Sequence, residues 1–345
     1  MNVPDLREYF AAAMSIDPED LTAAALSNVL DQISVRRTRP FIKRYYPNDT
    51  INVDGKQIPV VFPTARVIRS RYDFAGSMPG LIEDLEDALD GYTFEWGAPP
   101  PAGVLAMARY HPSMYHLNRA DIDAAEVQLA GLLRTMLLKR FESSPRAFAS
   151  TARRMATSHE GLVGMISDQG KVATGNALAE WVDTDGDDEE IDEWLENFGD
   201  EFEDASAFDI ENLCKDLEND QAILTDFAER AAGIEQTDDP KLRVLTDELT
   251  QIAADAAHES VTGQDTRNRR KVLLFSYFTD TVNWIFEHLV DVCDPDSPNH
   301  LPGLAAFHNR IATVSGGKDK SEVLFGFCPD TTDAPDGSKD RYDIV

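Results

Sequence analysis

Residues Lys271–Glu287 read KVLLFSYFTDTVNWIFE. Val272, Leu273, Leu274 and Phe275 form an unbroken apolar run, which suits a strand covered on both faces, as in a parallel sheet. Thr279 or Asp280 can then cap a helix by accepting from its free N–H groups. Val282, Ile285, Phe286, Leu289 and Val290 follow at i, i+3, i+4, i+7 and i+8, one apolar helical stripe. A second unit comes next. Ile311 to Val314 predicts a strand, Ser315-Gly316-Gly317 a tight turn, and Asp319 to Phe327 a helix with Val323, Leu324 and Phe327 inward. Tyr342 to Val345 opens a third strand. Strand–helix–strand–helix–strand is the grammar of a parallel α/β sheet.

On these strings the chain resembles Swi/Snf-type superfamily-two helicases. VLLFSYFTDTVNWIFEHL (272–289) is similar to the start of the family's second RecA-like lobe, where a Phe-Ser strand end precedes a Thr-led helix. ATVSGGKDKSEVLFGFCP (312–329) resembles its turn-glycine, basic residue and F-x-P segment, with Lys318 or Lys320 where the family carries arginine. RYDIV (341–345) resembles the lead-in to a later motif. Upstream, VRRTRPFIKRYYP (35–47) resembles the end of the first lobe, and LLKRFESSPRAF (137–148) an insertion helix of a prokaryotic branch. Asp239-Pro240-Lys241-Leu242 resembles a helix start just before the second lobe. The strings stand in family order.

The expected fold is therefore α/β, with a largely helical N-terminal and middle region followed by a partial parallel-sheet RecA-like lobe. Residues 1–46 are read as the end of a first helicase lobe, 47–265 as a mainly helical insertion, and 266–345 as an incomplete second lobe. The resemblance implies ATP and Mg²⁺ for the intact family protein, and duplex DNA as partner. It places Ser276, Ser315, Gly316, Gly317 and Lys318 toward the bound strand. Small residues there allow close approach and N–H donation to phosphate; a plain tight turn explains the same residues. It also sets Lys139 and Arg140 near DNA, against a solvated or salt-bridged face.

The chemistry of a motor is incomplete in these 345 residues. No G-x-x-x-x-G-K-[ST] phosphate cradle occurs. In the family the Mg²⁺-binding acidic box precedes the part matched here, and the arginine finger follows it. The expectation is an internal or truncated segment of a helicase-like hydrolase that binds no nucleotide and is inactive alone. Its partners would be the missing helicase portions or a defence or repair protein. The alternative is a non-enzymatic helical interaction module that docks on a separate helicase or DNA-processing partner.

Composition bounds both readings. The chain carries 62 acidic and 32 basic residues, a formal charge of −30, with 10 lysines against 22 arginines. Such a field repels nucleic acid unless salt screens it or the basic residues are grouped. An acidic, lysine-poor surface suits a halophile cytoplasm, where molar salt cuts the Debye length to roughly 3 Å; one acidic insertion is the plainer explanation. No run of 18 apolar residues exists, so no membrane span is expected. The N-terminus has no secretory pattern. Cys214, Cys293 and Cys328 are odd in number and far apart, consistent with a reducing cytoplasm.

The rest of the chain reads mainly as helix. Leu21–Ile33 is amphipathic. Val35–Tyr46 is basic, either a phosphate patch or arginines tied to carboxylates. Asp54-Gly55 marks a turn between short β runs, and Arg66–Tyr72 partly alternates as a strand would. Leu129, Leu133, Met136, Leu137 and Arg140 share one helical face. Ser144 with Pro145 restarts a helix. The run DTDGDDEEIDEWLENFGDEFED (183–204) opens like a calcium loop but has Asp188 at its sixth position and Trp194 at its twelfth, so it is read as a solvated, partly mobile insertion. Leu242, Leu245, Leu249 and Ile252 face inward after Asp239-Pro240, and 263–270 is a linker. His111 and His116 lack a metal-site context.

Overall fold

Leu129, Leu133, Met136, Leu137 and Arg140 recur at helical spacing, and all five are buried on one face of a 20-residue helix. The computed structural model describes residues 42, 44–53, 56–59, 64–73, 78–89, 100–101, 103–118, 123–174, 201–314, 320–332 and 334–345. Helices dominate: α1 (Leu81–Leu89), α2 (Ala124–Ser143), α3 (Pro145–Gln169), α4 (Ile210–Ala232), α5 (Pro240–Glu259), α6 (Gly263–Arg269), α7 (Thr279–Cys293) and α8 (Ser321–Phe327). Two two-stranded antiparallel sheets accompany them, β1 (Thr50–Val53) with β2 (Lys56–Pro59), and β3 (Lys171–Thr174) with β4 (Glu201–Asp204). Contacts divide the chain into two compact units, Met1–Arg69 and Ser70–Val345.

In the first unit, Val53 pairs with Lys56 across Asp54-Gly55, the two-residue connection expected there. The expected helices of residues 1–41, Leu21–Ile33 included, lie outside the described residues, as does most of the basic segment 35–46. The Arg66–Tyr72 strand is not formed. Val67 and Ile68 are exposed, and alternation without a neighbour to pair with gives no ladder.

The second unit is built on α2, α3 and α4. Ser144 accepts from the Ala147 N–H at 3.1 Å, and Pro145 supplies the first helical residue of α3. Small residues Ala149, Ala152 and Ala156 face Ala228 and Ala231, so α3 and α4 pack along most of their length, with Phe148, Met155, Leu224 and Phe227 filling the space between. Gly170 ends α3 with φ 64°, the left-handed backbone that favours glycine. Residues 183–200 of the acidic run lie outside the described residues, but 201–204 form β4, hydrogen-bonded to β3. That part of the run is a strand with exposed side chains rather than a loose insertion. Asp239 accepts from Lys241 and Leu242 N–H to start α5, whose Leu242 and Leu249 are buried. The expected linker at 263–270 is α6, capped by Thr262, because Thr262 and Asp265 provide an N-terminus that the polar composition concealed.

At the C-terminal end, three segments run parallel through single bridges, Val272 with Ile344 and Ile311 with Ile344. Ile344 lies between the other two. Val272 N–H donates to Asp343 O at 2.8 Å, Leu274 N–H to Val345 O at 2.8 Å, and Ala312 N–H to Ile344 O at 3.0 Å. These are bridges, and the described residues contain no parallel sheet. The run Val272–Phe275 is covered on one face only. Val272 and Leu274 pack against the cluster of Leu249, Leu289, Leu304 and Phe307, while Leu273 is 49% and Phe275 89% exposed. With apolar residues at both parities of a period-two segment, the sequence does not say which face has a neighbour.

Helix α7 also departs from expectation. Its cap position is Phe278, without a side-chain hydrogen bond, and Thr279 and Asp280 are its first residues. Thr281, His288, Leu289, Val292 and Cys293 are buried, whereas Val290 is exposed. The helix is covered on a second side by the bundle. Thr281 Oγ1 meets Ser143 Oγ at 2.7 Å and Ser144 Oγ at 2.8 Å, and Trp284 Nε1 donates to Asp239 Oδ2 at 2.9 Å. Helix α8 buries Phe327 but leaves Leu324 exposed. Gly326 is fixed by the Tyr342 ring, since a Cβ there would stand 2.7 Å from Cε2.

Candidate nucleic-acid interface

Because 272–275 and 311–314 run the same way, their carboxyl ends leave on one edge. Ser276 stands at that edge, half-buried, and its Oγ accepts from the Phe278 N–H at 3.4 Å, closing the turn into α7. Ser315, Gly316, Gly317 and Lys318 lie outside the described residues. Lys320, just beyond them, is exposed. A cavity of ≈ 340 Å³ adjoins the edge, with Leu273, Phe275, Ser276, Thr313, Phe286 and Lys320 among its lining residues. The lining is mainly apolar, with two hydroxyls and one ammonium. Asp280 in the first turn of α7 opposes an anion at that helix start.

The opposite, amino-terminal edge is closed by charge. Asp343, fully buried, accepts from Arg270 Nε at 2.6 Å and from Arg310 Nε and Nη2 at 2.7 and 2.9 Å. Lys271 and Arg310 also bind Asp340, at 2.5 and 2.9 Å. The basic residues that precede the two outer segments are thereby committed to carboxylates.

Arg140 is not on a DNA-facing surface. It is fully buried, its guanidinium 4.3 Å from the centre of the Phe278 ring. The same periodicity that puts Leu133 and Leu137 inward carries Arg140 with them. Lys139, one residue earlier, is exposed.

A second group of polar residues carries no signal in the sequence. Residues 104–116 fold as an irregular strip with two 3₁₀ turns, pressed against α3 and α4. Met107 has φ 64°, strained for a residue other than glycine. Asp220 of α4 accepts from the flanking N–H groups of Ala106 at 2.7 Å and Ala108 at 2.9 Å. His159 Nδ1 lies 2.7 Å from Met155 O, and its Nε2 lies 3.4 Å from Asp220 Oδ2 without an aligned hydrogen bond. His111 Nε2 meets Ala106 O at 2.6 Å, and burial lowers the pKa of that imidazole. Tyr115 OH donates to Asp216 Oδ2 at 2.8 Å. These groups hold a kinked strip in the interior. Among the described residues no group of three His, Cys, Asp or Glu side chains is placed to hold a metal ion.

Glu126, in the first turn of α2, binds the same strip. Burial pushes its carboxyl up to about 7, against hydrogen bonds from Ser113, whose N–H donates at 2.9 Å. Between the ordinary glutamate range and about pH 7 the folded chain keeps this proton and the unfolded chain releases it, so stability falls as pH rises through that window. Glu126→Gln should remove the dependence and stabilise at pH 8 by on the order of 3 kcal/mol at most. Urea midpoints at pH 5 and pH 8 check it; parallel profiles for the two proteins would refute it.

No protein-family model matches this chain, and no curated protein and no solved structure is significantly similar to it.

Proposed function

We propose that the chain serves a Swi/Snf-type DNA-dependent ATPase, supplying part of a second RecA-like lobe and the helical insertion before it. One observation carries the reading. Three segments bridge in parallel, joined by α7 and α8, and the two outer ones deliver their carboxyl ends to one edge at Ser276 and the residues after Val314. Sites in open parallel α/β folds form at such an edge. The docking of Ser143, Ser144 and Asp239 on α7 supports it further, because these residues lie in the strings that carry the resemblance.

In this reading Ser276, Ser315, Gly316, Gly317 and Lys318 approach the DNA backbone. ATP and Mg²⁺ are held by residues other than these 345, which have no phosphate cradle. The working environment is a salt-rich cytoplasm, where the acidic surface no longer repels DNA. The purified protein is expected to turn over no ATP above a buffer blank, with or without duplex DNA. Turnover that disappears on removing Lys271–Val345 would overturn this.

A second reading, a non-enzymatic module that docks on a helicase or DNA-processing partner, is favoured by the charge of −30 and by the ion pairs that occupy Arg230, Arg269, Arg270, Lys271 and Arg310. Duplex binding separates the two. Ser276→Asp should weaken it by about tenfold under the first reading, through one added repulsion near a phosphate. The second predicts no duplex binding by either protein.

A further inference from the structure

Strand β4 is the outer strand of a two-stranded sheet. Its partner β3 is buried apart from Lys171, whereas Glu201, Phe202, Glu203 and Asp204 are all exposed. Ala205 N–H donates to Gly170 O at 2.9 Å, which sets the alternation of the ladder. Glu201 and Glu203 therefore turn their backbone groups toward β3, and Phe202 turns its N–H and C=O away from it. Among the described residues no other strand pairs with that side. Such an edge is a template for another extended segment.

A second unpaired segment carries the opposite charge. Residues 64–73 contain no helix, turn or bend, and all are exposed. Arg66-Val67-Ile68-Arg69 sets two β-branched residues between two arginines, with Val67 100% and Ile68 75% exposed. Such side chains suit a pleated, half-covered surface, and here they stand in water. Neither Arg66 nor Arg69 makes an ion pair or hydrogen bond with the described residues. The next residues are engaged: Ser70 Oγ donates to Glu248 at 3.1 Å, and Lys241 lies 5.3 Å from the centre of the Tyr72 ring.

We propose that Arg66–Arg69 of one copy of the chain adds to the open edge of β4 in a second copy, as an antiparallel strand. The charges select this pairing. Two β4 edges repel each other through Glu201, Glu203 and Asp204. Two Arg66–Arg69 segments repel through their arginines. Only the basic segment against β4 attracts. One register also matches the side chains. With Ile68 opposite Phe202, whose backbone groups face outward, the two residues exchange both hydrogen bonds. Arg69 then stands opposite Glu201 and Arg66 opposite Asp204, as opposite-charge cross-strand pairs. Asp204 binds Ser206 through Oδ1 and keeps Oδ2 for the arginine. Glu203, opposite Val67, keeps its 3.7 Å contact with His116. The charge of −30 on each copy opposes approach at long range. At physiological ionic strength the Debye length is about 8 Å, so the facing residues decide.

Sedimentation velocity at about 0.15 M salt, from roughly 1 to 100 µM protein, tests this. Wild type should pass from monomer to larger species over that range. Hydrogen exchange read by mass spectrometry should show 66–69 and 201–204 gaining protection at the highest concentration. Ile68→Pro removes a ladder N–H and no charge, in a segment with no helix or strand to break, and should weaken association by about tenfold. Arg69→Glu and Glu201→Arg each replace an attraction by a repulsion and should weaken it by about tenfold. Mixed in equal amounts, these two variants should associate within about threefold of wild type, because each restores the other's pair. Lys215→Glu changes the net charge equally at an exposed site on α4 and should stay within about twofold. Circular dichroism melting curves check that every variant is folded. The proposal is overturned if wild type stays monomeric throughout, or if it associates without protection of both segments. It is equally overturned if Ile68→Pro associates as wild type does, if Lys215→Glu weakens association as much as Arg69→Glu, or if the mixture does not recover.

Discussion

Asp220→Ala is expected to cost about 3–5 kcal/mol of folding stability, the range for breaking a buried charged hydrogen-bond cluster by removing one member. The carboxylate is fully buried and holds two backbone N–H groups, of Ala106 and Ala108, that bracket Met107. Met107 stands in the left-handed region, which costs a non-glycine residue roughly 1–2 kcal/mol. The clamp offsets that strain. With alanine at 220, two interior donors lose their acceptor, each at about 1–3 kcal/mol, and His159 loses the anion 3.4 Å from its Nε2. Asp220→Asn keeps the shape but turns an NH₂ toward a donor or toward His159, so an intermediate loss is expected. Urea unfolding followed by far-ultraviolet circular dichroism reports it, because the clamp sits between α3 and α4. An Asp220→Ala protein within about 1 kcal/mol of wild type would show that the strip is held by its apolar contacts alone.

What could be read in advance was the part of the structure that short-range rules write. The inward stripe of α2, the Ser144-Pro145 start of α3, the Asp239-Pro240 start of α5 and the Asp54-Gly55 hairpin each depend on residues within one or two turns of each other. The strip 104–116 depends instead on Asp220, more than 100 residues away, and no local period announces it. The parallel bridges follow the expected segments, but their placement, with Ile344 between Val272 and Ile311, is set by non-local pairing. The bare face of Leu273 and Phe275 was concealed because apolar residues fill both parities of the run. At the candidate interface, Ser276 follows the bridged segment 272–275 and closes the turn into α7. The distinction between Lys139 and Arg140 needed the burial of α2, since adjacent residues on a helix point about 100° apart.

The second large effect is expected at the amino-terminal edge of the bridged segments. Asp343→Ala should destabilise Lys271–Val345 by about 3–5 kcal/mol, since it leaves the guanidinium groups of Arg270 and Arg310 without their buried anion. Single bridges offer few backbone hydrogen bonds, so side chains contribute more to alignment here than in a full sheet. Asp343 uses both. Its carbonyl accepts from Val272 N–H and its N–H donates to Arg310 O at 2.8 Å, while its carboxylate binds the basic residues that precede Val272 and Ile311. The neighbouring Asp340 makes the edge sensitive to acid. Burial alone would raise its carboxyl, but Lys271, Gln264 and Arg310 outweigh burial and hold it below the ordinary aspartate value. A carboxyl depressed in the folded state contributes stability that is fully present above its unfolded value and is lost as pH falls through the folded one. The edge should therefore loosen only below about pH 4. Hydrogen exchange read by mass spectrometry localises both effects. Asp343→Ala should strip protection from 272–274 and 344–345 at neutral pH while α3 and α4 keep theirs, and wild type should show the same pattern only in acid. Equal protection in the variant and wild type at neutral pH would mean that the bridges and the Leu289–Phe307 cluster align these segments without the charges.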